Sequence, residues 1–159
     1  MRYLLILIML TASAWAADAE ANAVCTFADD TEMSVRYNPV SIKDNPRPQN
    51  GKVWAPGGSA LLLFTQTELS LNNISLPVGA YSLYLIPDKN AWTLVVNKSV
   101  NPTGAYDEKA DLVRLKMESA KLGSPADKLN ISFGRIAPKQ CEIRAYFDQS
   151  GTWATLSQK

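Results

Sequence analysis

Apolar and polar side chains alternate along one short segment after another, and that period of two limits the chain to extended strands with one face buried. Met33, Val35 and Tyr37 alternate with Glu32, Ser34 and Arg36, which predicts a half-buried strand over Glu32–Tyr37. Tyr81, Leu83 and Leu85 alternate with Ser82, Tyr84 and Ile86; with Asp88-Lys89-Asn90 as a turn and Trp92–Asn97 as a second strand, Ala80–Asn97 reads as a β-hairpin. Ile143, Ala145 and Phe147 point one way along Glu142–Phe147. Ala60–Phe64 is continuously apolar, the pattern of a strand covered on both faces.

Turn chemistry separates these segments. Asn72-Asn73 suits a tight hairpin because asparagine tolerates positive φ. Pro77-Val78-Gly79, Asp29-Asp30, Gly57-Gly58 and Ser150-Gly151 read as further turns, and Val40–Asn50, with Pro46 and Pro48, reads as a surface loop. Cys25 and Phe27 fit a short strand near the start, and Leu129–Phe133 and Thr152–Leu156 fit strands near the end. Leu112–Ser119 is strand or short helix by spacing alone. The pattern predicts an all-β, single-domain antiparallel β-sandwich, Ig-like or jelly-roll-like, of about nine or ten short strands. No internal repeat or second domain is evident.

Met1–Ala16 has the layout of a secretory signal peptide: Arg2, the apolar run Leu4–Leu10, then Ala14-Trp15-Ala16 as a small-x-small cleavage site. Seven apolar residues are too few to cross a bilayer, which takes about 20. The expected layout is a leader over 1–16, an N-terminal segment over 17–31 with a short strand, and the sandwich over 32–159. Such a chain is exported, to the periplasm or beyond the cell, with no membrane span. Cys25 and Cys141 are the two cysteines, and in an oxidising compartment they are expected to form one disulfide.

Sixteen basic and fifteen acidic side chains nearly cancel, so no field draws nucleic acid or anionic lipid. The chain contains no histidine. Ser-His-Asp and Cys-His catalysis, histidine metal sites and histidine pH switches are therefore excluded. Two soft cysteine ligands without histidine make no zinc site. The one dense acidic group is Asp107, Glu108 and Asp111. Asp107 and Asp111 are the candidate catalytic pair, as acid and base of a hydrolase or as oxygen ligands for calcium; the plainer reading is a turn at Asp107 and a wet ion pair of Asp111 with Lys109 or Arg114. Trp54, Tyr84, Trp92, Tyr106 and Trp153 are the candidate ligand-binding aromatics, able to stack on sugar rings or hold a partner when exposed and to build core when buried. Tyr81 and Tyr84 point to opposite faces, so one of them is expected in solvent if only one face is covered.

Four motifs carry a resemblance: GKVW at Gly51–Trp54, LPVGAYSLYLIP at Leu76–Pro87, WTLVVNK from Trp92, and GAYDEKADLVR at Gly104–Arg114. Together they resemble a bacterial exported family, domain of unknown function 2911. The resemblance runs from about Tyr37 to the C-terminus and implies an exported, single-domain, mostly β protein of unknown activity. It also favours a strand at Leu112–Ser119. After GKVW that family usually continues as an Arg-x-Gly-Ala-Asn-Glu-like polar run; here Ala55, Ser59 and Ala60 stand at the arginine, asparagine and glutamate positions. Thr103 stands where a tryptophan is common.

These features favour a secreted binding or scaffolding domain with no catalytic role, whose ligand is a protein or a carbohydrate. The alternatives are a histidine-free carboxylate hydrolase, with calcium if it needs a cation, and a carbohydrate-binding module.

Overall fold

The computed structural model describes residues 19–43 and 47–159; the expected leader, Met1–Ala16, lies outside them. Ten strands follow in order: β1 (Ala21–Thr26), β2 (Glu32–Tyr37), β3 (Leu61–Thr65), β4 (Leu69–Leu71), β5 (Ile74–Leu76), β6 (Gly79–Ile86), β7 (Thr93–Asn97), β8 (Asp111–Lys116), β9 (Glu118–Ala137) and β10 (Gln140–Gln158). They form two antiparallel sheets, one ordered β1-β2-β3-β6-β7-β8 and the other β5-β4-β10-β9. The inward faces meet as the two layers of a β-sandwich. Among the described residues the only helical segments are two single 3-10 turns, Pro56–Gly58 and Glu108–Ala110.

Alternation places the core. Met33, Val35, Leu63, Leu83, Leu94 and Val96 from the larger sheet meet Leu69, Leu71, Ile131, Ile143, Phe147 and Leu156 from the smaller. β2 has the bounds the sequence predicts, and β6 and β7 form the predicted hairpin, with Leu83 opposite Val96. Asn72 and Asn73 take φ of 47° and 66°, the left-handed pair a two-residue hairpin needs between β4 and β5. Asp111–Lys116 is a strand, which settles that segment against a helix.

Cys25 on β1 and Cys141 on β10 are joined in a disulfide with Cα atoms 6.5 Å apart, tying the larger sheet to the smaller. The bond closes a separation of 116 residues.

Two expectations are corrected. Ser150-Gly151 is no turn: the chain passes through it inside β10, 19 residues long and paired with the 20-residue β9. The strands are thus not all short. The ladder shifts register between Tyr146 and Asp148 and again between Asp148 and Ser150. Asp148 there has φ of 51°, an irregularity that bends a strand sharply. The inward set switches parity across it, from Cys141, Ile143, Ala145 and Phe147 to Thr152, Ala154 and Leu156. Gly151 sits in the bend because a Cβ there would lie 2.9 Å from Leu122 and 3.3 Å from the Tyr146 ring.

The second correction concerns the outer face of the larger sheet. Tyr81 and Tyr84 point to opposite faces, yet both are buried. Before the start of β3, Trp54 pairs with Leu85 of β6, and the chain then crosses the outer face. Ala60, Tyr84 and Val95 form a second apolar cluster there, with Ile86 of β6 packed against it and Val53, Ala55 and Tyr106 covering it. The Ala60 N–H donates to the Pro102 carbonyl at 2.9 Å, which joins the two covering segments.

Candidate functional site

The candidate residues gather in two places. On the outer face, Tyr84 and Tyr106 meet edge to face with ring centres 4.8 Å apart. The Tyr106 hydroxyl donates to Asp111 Oδ2 at 2.5 Å. Arg114 donates from Nε to the same oxygen at 2.9 Å and from Nη2 to the Tyr106 hydroxyl at 2.9 Å and Glu108 Oε1 at 2.8 Å. Asn97, 1 % exposed, donates from Nδ2 to Asp111 Oδ1 and to the Asp107 carbonyl, both at 2.8 Å. Its own Oδ1 accepts the Ser99 N–H at 2.9 Å.

This network corrects the reading of Asp111 as a wet ion pair. Arg114 is its partner, but the Asp111 side chain is only 11 % exposed and both its oxygens accept hydrogen bonds. Asp107 accepts the Lys109 N–H on Oδ1 at 3.0 Å, the cap of the 3-10 turn. Burial, and then the hydrogen bond to Asp111, push the Tyr106 phenol up to about 12. Burial and the nearby Asp111 charge raise Tyr84 as well. Hydrogen bonds to Asp111 and Tyr106 raise Arg114, so the guanidinium stays charged. The oxygens of Asp107, Glu108 and Asp111 thus turn toward donors of this chain. Among the described residues no group of three or more His, Cys, Asp or Glu is placed to hold a metal.

The second place is the end of the sandwich where β10 bends. Trp54 meets Trp92 edge to face at 6.1 Å and Phe147 at 4.9 Å, tilted by 49°. Beside them lies a cleft of about 220 Å3, walled by Trp92, Phe147, Pro48 and Pro87 and edged by Asp88 and Ser150. Arg47 reaches Asp148 across it at 3.6 Å. A second hollow of about 370 Å3 shares Asp88, Lys89, Trp92 and Ser150 with the first and continues past Asn90 to Ser119 and Lys121. A third, of about 400 Å3, shares Asn90 and Ser119 with the second and ends on Trp153. The three adjoin one another around the Asp88–Ala91 turn and are together called the groove.

Trp92 is held in place from both sides. Its N–H donates to Ser119 Oγ at 3.3 Å, and its carbonyl accepts the Met117 N–H at 2.7 Å. Trp153 is half-buried and faces outward, because the bend in β10 switches which residues point inward.

A family model described as "Protein of unknown function (DUF2911)" matches residues 18–153 of this chain. The chain belongs to the DUF2911 family. No curated protein matches, and no solved structure matches. In this DUF2911 protein the covered outer face, the Tyr106–Asp111–Arg114 network and the groove therefore stand on their own geometry. Ala60, where the resemblance places a glutamate, packs beside Tyr84 and Val95.

Of the sequence candidates, Tyr84, Tyr106, Asp107 and Asp111 come together on the outer face, and Trp54 and Trp92 at the bent end. Trp153 joins the second group only through the groove. Sequence reading missed Phe147, Asp148, Lys89, Asn90 and Ser150 as groove residues. Asp88-Lys89-Asn90 signals a turn and nothing more, while the bend at Asp148 comes from pairing with β9 and has no local signal.

Proposed function

We propose that this DUF2911 protein is an exported binding domain without a catalytic role, and that its ligand occupies the groove around the Asp88–Ala91 turn. The observation that carries this reading is the continuity of the groove. Three hollows share lining residues, and their walls set the aromatic and proline surface of Trp92, Phe147, Trp153, Pro48 and Pro87 among a larger number of polar and charged side chains. Two rigid features frame it, the bent strand β10 and the Trp92 backbone anchored to Met117 and Ser119.

The carboxylate-hydrolase reading asks for two acids converging on a reaction site. Asp111 spends both oxygens on Asn97, Tyr106 and Arg114, and Asp107 spends one on a cap. These contacts favour a structural role for the acids. Export is supported by the Cys25–Cys141 bond, since disulfides persist in oxidising compartments.

Thermal melts of the purified protein against a panel of small sugars, amino acids, nucleotides, fatty acids and calcium test the reading. At least one organic class is expected to raise the melting temperature through mass action, with the shift lost when Ser150→Tyr fills the groove. No shift from any class overturns the proposal. A shift that survives Ser150→Tyr, or one from calcium alone that disappears in Asp111→Asn, also overturns it.

A further inference from the structure

We infer that the groove accepts a linear, uncharged oligosaccharide lying across the Asp88–Ala91 turn, with one ring against Trp153; this rests on the groove being a binding site. Three observations lead to the ligand class. The first is charge. Arg47, Lys89, Lys116 and Lys121 line the three hollows, with Asp88, Glu118 and Asp148 among them, so the two signs nearly balance. Arg47 and Asp148 also satisfy each other in part at 3.6 Å. Such walls give an ionic ligand little net field to follow, while their many donors and acceptors suit hydroxyl groups.

The second is shape. The first hollow, about 220 Å3, is below the ~300–1,000 Å3 of a site for a drug-sized molecule. It is a compartment for one small ring. The groove then continues through two more compartments with shared walls, which fits a chain of repeated small units better than one compact molecule.

The third is the kind of surface. A pyranose presents C–H groups on its faces and hydroxyls around its rim. Trp153 is half-buried and faces outward on β10, so part of its indole surface is open to such a face. Asn90, Ser119, Gln149 and Ser150 supply uncharged amide and hydroxyl groups along the same path. A peptide added as a further strand would instead need an uninterrupted strand edge. Next to the groove, the β9 ladder skips from Lys121 to Ala126 opposite Ser150 and Asp148, and Pro125 lacks an N–H.

Titrating the protein with cello-, xylo-, manno-, malto- and chito-oligosaccharides of one to six units, read by tryptophan fluorescence and calorimetry, tests the inference. One series is expected to bind, to tighten with length up to about four units, and to change little between low and high salt. Trp153→Ala is expected to weaken it by about tenfold, and Asn90→Ala, at an exposed turn position, to weaken it measurably while the melting temperature holds. If none of these glycans binds at millimolar concentration, the inference fails. If a charged peptide or anionic sugar binds instead, with strong salt dependence and sensitivity to Ser150→Tyr, the glycan assignment fails while the groove remains a binding site. Glycan binding untouched by both Trp153→Ala and Asn90→Ala places the sugar elsewhere and also overturns it.

Discussion

The backbone N–H of Gln158 donates to the carbonyl of Lys139 at 2.8 Å, so the last residue of β10 lies against the residue that precedes its first. A straight strand of 19 residues would hold those ends about 60 Å apart. The irregularity at Asp148 is what lets β10 turn back on itself.

The contact at the closed end predicts a stability effect. The Gln158 side chain is 8 % exposed, and its Nε2 lies 2.5 Å from Asp29 Oδ2, 3.1 Å from Thr31 Oγ1 and 3.2 Å from Thr67 Oγ1. Gln158→Ala removes these bonds and leaves their partners short of a donor. Urea unfolding is expected to show a loss of about 1–3 kcal/mol.

The disulfide lies at this same end. Closing a 116-residue separation restricts the unfolded chain by about 4–5 kcal/mol in the chain-entropy account. Intact-mass analysis without reductant is expected to show two hydrogens missing. Reduction is expected to lower the free energy of unfolding by most of that amount. A chain that labels twice with a thiol reagent under native, non-reducing conditions contradicts the bond.

Ser82 predicts a gain. It is fully buried, and among the described residues its Oγ has no hydrogen-bond partner. A buried hydroxyl without a partner costs about 1–3 kcal/mol. Ser82→Ala removes the cost with little change of volume, so the variant is expected to melt higher than the parent. A lower melting temperature would mean that the hydroxyl does have a partner.

How much of this was readable from residue order differs from place to place. The Ala80–Asn97 hairpin was legible because its alternation is unbroken and its turn residues are distinctive. The cysteine pair was legible from its even number and the oxidising compartment expected for the chain. Glu118–Lys128 was not legible as strand: Gly123 and Pro125 signal a loop, and hardly any of its side chains are buried. It is extended because β10 pairs with it. The burial of Tyr84 was hidden for a similar reason, since its cover comes from Val53, Ala55 and Tyr106, distant in the chain. The groove draws on residues near positions 47, 88, 119 and 150, and no local pattern marks such a meeting.

Tyr106 predicts a pH dependence. Its phenol, raised to about 12 in the folded protein, titrates near 10 in the unfolded chain. The folded state therefore holds a proton that the unfolded state gives up first. The stabilisation is complete below pH 10 and is lost as pH rises from about 10 to about 12. Ultraviolet titration is expected to show a late tyrosine step that disappears in Tyr106→Phe. Because that variant also loses the bonds to Asp111 and Arg114, it is expected to be about 1–2 kcal/mol less stable at neutral pH.

Gly151 predicts a steric limit. A Cβ at this position meets Leu122 and the Tyr146 ring inside normal contact distance. Gly151→Val is expected to cost about 1–3 kcal/mol as the bend is forced open. It is also expected to alter the near-ultraviolet signal of the tryptophans beside the bend.

The doubling back of β10 also decides how the molecule can be tethered. Lys159 follows the strand at its closed end, where its N–H donates to the Glu68 carbonyl at 3.0 Å. Ser150 and Asp148 lie nine and eleven residues before it along the strand, roughly 30–36 Å at strand rise. A linker, fluorophore or sensor surface joined to the Lys159 side chain is therefore carried at the far end of β10 from the bend beside Trp92. A chain immobilised that way leaves the groove open to whatever flows past it.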